Sequence, residues 1–189
     1  MTAPVLIEGR NLAIKQGTGI ASYARNLTQV LRGQGHELDV LFDTEFPLTP
    51  NQPEWNEIKL YDPSAGNRSI FARFRRFRRA GQYMAAAPFG VTASEIACTH
   101  GESDSLFPDL QGFARQQAVE MLFLRADWHV QRYGRRLAVK PLRQPKLMHA
   151  THPAAIEVKG CPNIYTVHDL VPLRLPHTTL DNKRAFLRP

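Results

Sequence analysis

The stretch Val5-Leu6-Ile7-Glu8-Gly9-Arg10-Asn11-Leu12, running into Gln16-Gly17-Thr18-Gly19-Ile20, decides how this chain is to be folded. A largely apolar run reads as a strand. A glycine loop follows, and from Ile20 onward Tyr23, Ala24, Leu27, Val30 and Leu31 recur at helical spacing, with Arg25, Gln29 and Arg32 turned mostly outward. Gly33 and Gly35 end the helix, and His36 to Asp43 reads as a second strand. Strand, helix and strand in so short a span form a βαβ crossover, which favours a parallel sheet covered by helices on both faces. The expected class is therefore α/β, a Rossmann-like three-layer sandwich with a mainly parallel sheet.

Outward from this unit the signals are weaker. Pro47, Pro50, Pro53 and Pro63 make 44–63 read mostly as loop, with Ile58-Lys59-Leu60-Tyr61 as a short strand. A helix is expected over 69–87, an irregular connection over 88–108, and a further helix from about Gly112 to Ala138, interrupted near Gly134. Two short strands follow, Lys146 to Ala150 and Ile164 to His168. The segment from Thr179 to Arg188 resembles the opening turns of a helix capped by Thr179 or Asp181, with no end signal before Pro189. The chain is thus expected to be a piece of a longer protein.

Composition narrows the class. With 189 residues, 43% hydrophobic and 22% charged, one packed domain is expected, and neither wholesale disorder nor a fibrous repeat fits. No apolar run approaches the ~20 residues that span a bilayer, and Met1-Thr2-Ala3-Pro4 lacks the features of a signal peptide, so a cytoplasmic location is expected. Cys98 and Cys161, far apart, make neither a disulfide framework nor a structural zinc site. Of the net charge of +7, five units fall on Arg73, Arg75, Arg76, Arg78 and Arg79. Basicity so concentrated implies an anionic partner at one surface: phospholipid, a phosphorylated ligand or nucleic acid.

Two places carry candidate chemistry. In Gly17-Thr18-Gly19, small residues and a hydroxyl precede a helix, where free backbone N–H groups and the helix dipole favour an anion. A tight turn explains the same residues. No Lys-Ser/Thr pair follows as in a P-loop, and Ser22 occupies the place of the third glycine of a dinucleotide fingerprint, so ATP hydrolysis and NAD binding are disfavoured. The second place is Asn163-Ile164-Tyr165-Thr166-Val167-His168-Asp169-Leu170-Val171-Pro172-Leu173, where a strand delivers His168 and Asp169 to its carboxyl end, the edge at which ligands gather in open α/β sheets. A histidine there can also serve merely as a cap or bond a backbone carbonyl. His149 and His152, three apart, do not make a metal pair, and no metal is expected. No Gly-x-Ser-x-Gly elbow occurs.

Between them, Phe71, Phe74 and Phe77 share one helical face with most of the arginines opposite. This reads either as a core-facing helix with a solvated basic side or as a helix lying on an anionic membrane, with Arg73, Arg75, Arg76 and Arg79 at the phosphates.

Read together, the two chemical segments resemble the N-terminal half of retaining glycosyltransferases of family 4, also called glycosyl transferase group 1. Leu6 to Leu12 followed by Gly17-Thr18-Gly19-Ile20-Ala21-Ser22-Tyr23-Ala24-Arg25-Asn26-Leu27 is similar to that family's opening strand, glycine loop and first helix. Ile164 to Leu173, with Pro176 following, is similar to its later histidine-aspartate strand and loop. Residues 44–144 carry no matching motif. The resemblance implies the N-terminal half of a GT-B architecture: residues 1–189 would be a single acceptor-side domain, facing a second domain that holds most of a nucleotide-sugar. The family's donor-side pair of glutamates separated by seven residues is absent, since Glu95 and Glu102 have six between them and sit in the wrong half. The chain alone is therefore expected to be inactive or nearly so.

For the whole enzyme the resemblance implies transfer of a hexose, mannose or a relative, from a GDP or UDP donor with retention and without cofactor. The acceptor would be a growing surface polysaccharide or lipid-linked saccharide. His168 would contact the transferred sugar and nearby phosphate, and Asp169 would orient its loop. Gly17, Thr18 and Gly19 would approach the donor diphosphate or the acceptor, with Arg10, Asn11 and Tyr23 on the acceptor side. The basic helix would suit a peripheral enzyme at the inner membrane face. The alternative from a different class is a non-catalytic Rossmann-like module that holds a phosphorylated ligand or nucleic acid.

Overall fold

The computed structural model describes residues 3–12, 19–61, 89–97 and 112–168. The expected helices at 69–87 and 179–188 lie outside them. The described residues form an α/β fold around a six-stranded, mainly parallel sheet. Strand β1 (Val5–Glu8) pairs in parallel with β2 (Leu38–Thr44) on one side, and α1 (Gly19–Gly33) connects the two. Both strands are buried along nearly their whole length, as central strands of a doubly covered sheet must be.

Helix α1 carries a correction to the expected apolar face. Ala21, Ala24 and Thr28 are its buried residues, whereas Val30 is 56% and Tyr23 37% exposed. The small side chains let the helix lie close to the sheet, with Ala24 packed in the cluster of Val5, Ile7, Val40 and Phe42. Thr28 removes its hydroxyl from competition by donating to the Arg25 carbonyl at 2.7 Å.

Of the span 44–63, described as far as Tyr61, the described part is not mostly loop, and Ile58 to Tyr61 is not a strand. Helix α2 spans Pro53–Tyr61, with Pro53 in the first helical position, where its missing N–H goes unneeded. Buried Asn56 anchors it, exchanging hydrogen bonds with the backbone of Thr49 and donating to the Glu95 carbonyl. Two short strands, β3 (Val91–Thr92) and β4 (Ser94–Ile96), lie in the span expected to be irregular.

The largest departure is at 112–138. Arg115–Glu120 is strand β5, parallel to β2 and antiparallel to β4. Only Leu122–Tyr133 is helical (α3), and Leu137–Lys140 is strand β6. Gln, Ala and Glu favour helix over poorer formers by at most roughly 0.7 kcal/mol each. Burying a side chain such as Val119 is worth roughly 1.5–3 kcal/mol, so the place in the sheet wins. Met121, at φ 53, makes the sharp turn from β5 into α3, and Gly134, at φ 66, closes the helix by donating its N–H to Val130 O.

Three strands complete the fold: β7 (Leu147–Ala150), β8 (Ile156–Val158) and β9 (Asn163–Tyr165). The main sheet runs β4-β5-β2-β1-β7-β9, with every pair parallel except β4 and β5, while β3, β6 and β8 form a small parallel sheet. Apolar cores lie on both faces of the main sheet. One includes Ala24 of α1, and the other joins Leu122 and Ala126 of α3 to the small sheet. From β1 the chain builds outward to β2 and β5, then returns to β7 and β9 on the other side, so strand order reverses between β1 and β7. Among the described residues no helix is long and apolar enough to cross a membrane.

Candidate functional site

A crevice opens at the carboxyl ends of strands where the order reverses, because the connections there leave toward opposite faces. Here the residues following β1, β7 and β9 stand at that edge. The turn out of β1 requires glycine: a Cβ on Gly9 would lie 2.6 Å from the Phe42 ring and 2.7 Å from Val40, whereas the bare backbone donates its N–H to Leu41 O at 2.8 Å. That turn delivers Arg10 and Asn11. Buried Asn11 donates from Nδ2 to Oγ1 of fully buried Thr151 at 2.8 Å, fastening the β1 and β7 loops together.

On the α1 side of the sheet four residues meet. Thr166, just beyond β9, places its hydroxyl 2.9 Å from His149 Nε2 and 3.3 Å from the Tyr23 hydroxyl. Burial holds His149 below the usual histidine range, so its ring is neutral at pH 7. Tyr23 also meets the His168 ring edge-on, with centroids 5.3 Å apart. His168 Nε2 lies 2.7 Å from the Thr151 carbonyl, which can only accept, so Nε2 carries a proton, and Nδ1 has no hydrogen-bond partner among the described residues.

On the α3 side the groups are ionisable. Glu8, the last residue of β1, is 1% exposed, accepts a hydrogen bond from Arg10 N–H, and has Oε2 3.0 Å from His152 Nδ1. The Phe123 ring carries the Arg10 guanidinium at 5.0 Å and the His152 ring at 5.3 Å. Asp43, near the end of β2, accepts the Leu122 N–H at 2.7 Å and so caps α3 from a distant strand. Although the residue keeps an exposed side, partial desolvation of its carboxyl pushes Asp43 up to about 6, against the pull of that hydrogen bond and of Arg10. Burial likewise raises Asp127, opposed by Arg10 and His152.

Of the expected site residues, the structure brings Tyr23, Asn11 and His168 together around Thr151 and Thr166, with Gly19 one helical turn before Tyr23. Arg10 sits apart from His168, over Phe123 on the α3 side. Gly17, Thr18, Asp169, Arg73, Arg75, Arg76 and Arg79 lie outside the described residues. A Cβ on Gly19 would meet nothing within 4 Å, so packing does not demand glycine there. Glu8 escaped notice in the sequence, although a carboxylate closing an apolar strand was the available signal. His149 and His152 were weighed only as metal ligands, and their partners Thr166 and Glu8 had no local signature. Among the described residues no three His, Cys, Asp or Glu are grouped to hold a metal ion. Comparison with family models, curated proteins and solved structures finds no match.

Proposed function

We propose that this chain is the acceptor-side domain of a retaining glycosyltransferase: a Rossmann-like unit forming the N-terminal half of a GT-B architecture, in which a hexose passes from a nucleotide-sugar to a saccharide or lipid-linked hydroxyl. One observation carries the reading. The two segments on which the resemblance rests, separated by more than a hundred residues, meet at the carboxyl edge of one parallel sheet, where Tyr23 of α1 packs edge-on against His168. That edge is where α/β sheets of this order hold nucleotide and sugar phosphates.

In this role His168 Nδ1 faces the transferred sugar, while the Thr151 carbonyl fixes its ring. The start of α1 directs backbone N–H groups and a positive dipole toward phosphate. With most of the donor held by a second domain, residues 1–189 in isolation would be inactive or nearly so. The test is turnover of the full-length protein with a panel of UDP- and GDP-hexoses, read as release of nucleoside diphosphate in the presence of saccharide acceptors. His168→Ala should lower turnover by on the order of a hundredfold and leave the fold intact, since His168 is exposed. Unchanged turnover removes His168 from the mechanism.

A further inference from the structure

We propose that His149, Thr166 and Tyr23 form a hydrogen-bonded relay that makes the Tyr23 oxygen an acceptor for a hydroxyl of the transferred sugar, with Thr166 and His149 as positioning residues; this rests on the transferase reading above. The three come from separate parts of the chain: β7, the residue after β9, and α1. Exposure rises along the relay, from His149 at 9% through half-buried Thr166 to Tyr23 at 37%. At its open end Tyr23 packs edge-on against His168, with ring centroids 5.3 Å apart.

The order of the protons follows from the chemistry of the three groups. The Thr166 hydroxyl lies 2.9 Å from His149 Nε2 and 3.3 Å from the Tyr23 hydroxyl, and it has a single proton to give. Burial keeps the His149 ring neutral, so one of its nitrogens carries a lone pair. A phenol is more acidic than an alkyl hydroxyl and so the better donor, while an imidazole nitrogen accepts better than either oxygen. Tyr23 therefore donates to Thr166 Oγ1 and Thr166 to His149 Nε2, each bond polarising the next. The proton of the imidazole then sits on Nδ1. At 3.3 Å the outer contact is long for two hydroxyls, and contacts of this kind often tighten when substrate binds.

A Tyr23 oxygen whose proton points inward can only accept from outside. It pairs with a group that brings its own proton, as a sugar hydroxyl does, and disfavours the proton-free oxygens of an ionised diphosphate. The relay thus assigns the ground beside His168 to the sugar and leaves phosphate to the start of α1, one turn away at Gly19. Bracing α1 against the sheet does not explain the arrangement. Ala21, Ala24 and Thr28 already seat that helix, and an exposed phenol adds little to its packing.

Two measurements test this. In multiple-bond 1H–15N spectra of the wild-type chain, the neutral His149 ring should carry its proton on Nδ1; a ring protonated on Nε2 alone overturns the relay without any variant having to fold. In the full-length protein, kcat/KM is compared for the UDP- or GDP-hexose that it uses and for analogues in which fluorine, which cannot donate, replaces one sugar hydroxyl. At one ring position the replacement should cost wild type about tenfold more than it costs Tyr23→Phe. Thr166→Val, which frees the Tyr23 proton to point outward, should shrink that penalty, and Thr166→Ser, which keeps the hydroxyl, should restore it. Equal penalties in wild type and Tyr23→Phe at every position overturn the sugar contact alone; no transfer by wild type from any UDP- or GDP-hexose overturns the transferase reading and the sugar contact with it.

Discussion

Asp39 and Glu8 are each 1% exposed, one at the amino-terminal edge of the sheet and one at the carboxyl edge, and they are held in different ways. Asp39 receives Arg143 through two hydrogen bonds, of 2.8 and 2.6 Å, and the same guanidinium reaches Glu37 at 2.7 Å. These bonds raise Arg143 above its ordinary range and fix its charge, pinning the loop before β7 to the start of β2. Glu8 has one backbone N–H and an imidazole. The first edge is closed by a guanidinium whose charge is permanent, and the second is lined with groups whose proton affinity burial shifts, among them His149, Asp43 and Asp127. One edge of the same sheet is built for stability and the other is left chemically adjustable, which is what a ligand site requires.

Substitutions can separate the two. The largest stability loss is expected from Arg143→Met, which strands the Asp39 carboxylate: about 3 kcal/mol, at the low end for a broken buried pair because Arg143 is 28% exposed at its side chain. Urea unfolding measures it, and a loss below the error of extrapolation would mean that the amino-terminal edge is not the stabilising one. Gly9→Ala comes next. The added methyl meets Phe42 and Val40 at 2.6–2.7 Å, a crowding that should cost about 2 kcal/mol and displace the loop carrying Arg10 and Asn11.

The smallest effect distinguishes charge from hydrogen bonding at Asp43. Its folded pKa of about 6 lies above the ordinary aspartate value of 3.8, so between these values the folded protein retains a proton that the unfolded chain releases, and stability falls as pH rises through that window. Asp43→Asn keeps an acceptor for the Leu122 N–H and should flatten that part of the stability–pH curve. Asp43→Ala also flattens it and in addition loses the cap, at ~1 kcal/mol. A slope that survives in Asp43→Asn would assign the titration to another carboxyl group.

Much of the fold could be read from residues whose environment is set locally. The apolar run 5–8, the glycines after α1 and the second strand place the βαβ unit because neighbours along the chain supply the signals. Strand β5 could not be read this way. Its Gln116, Gln117 and Glu120 have no strand pattern of their own, and what makes them a strand is pairing with β2 and β4, with Gln117 Oε1 accepting the Leu142 N–H at 2.9 Å. The site divides likewise. His168 was legible from its position after an apolar strand, and Tyr23 from the helix that follows the glycine loop. The pairing of Glu8 with His152 spans most of the chain and leaves no spacing to detect.

The separation of the two edges is tested most directly by mapping ligand contacts on the 15N-labelled chain with GDP-mannose or UDP-glucose at millimolar concentration. Shift changes are expected at Gly19, Tyr23, Thr151, Thr166 and His168, with Asp39 and Arg143 unmoved. Changes centred on Asp39 and Arg143, with His168 and Tyr23 silent, would contradict a ligand site at the carboxyl edge.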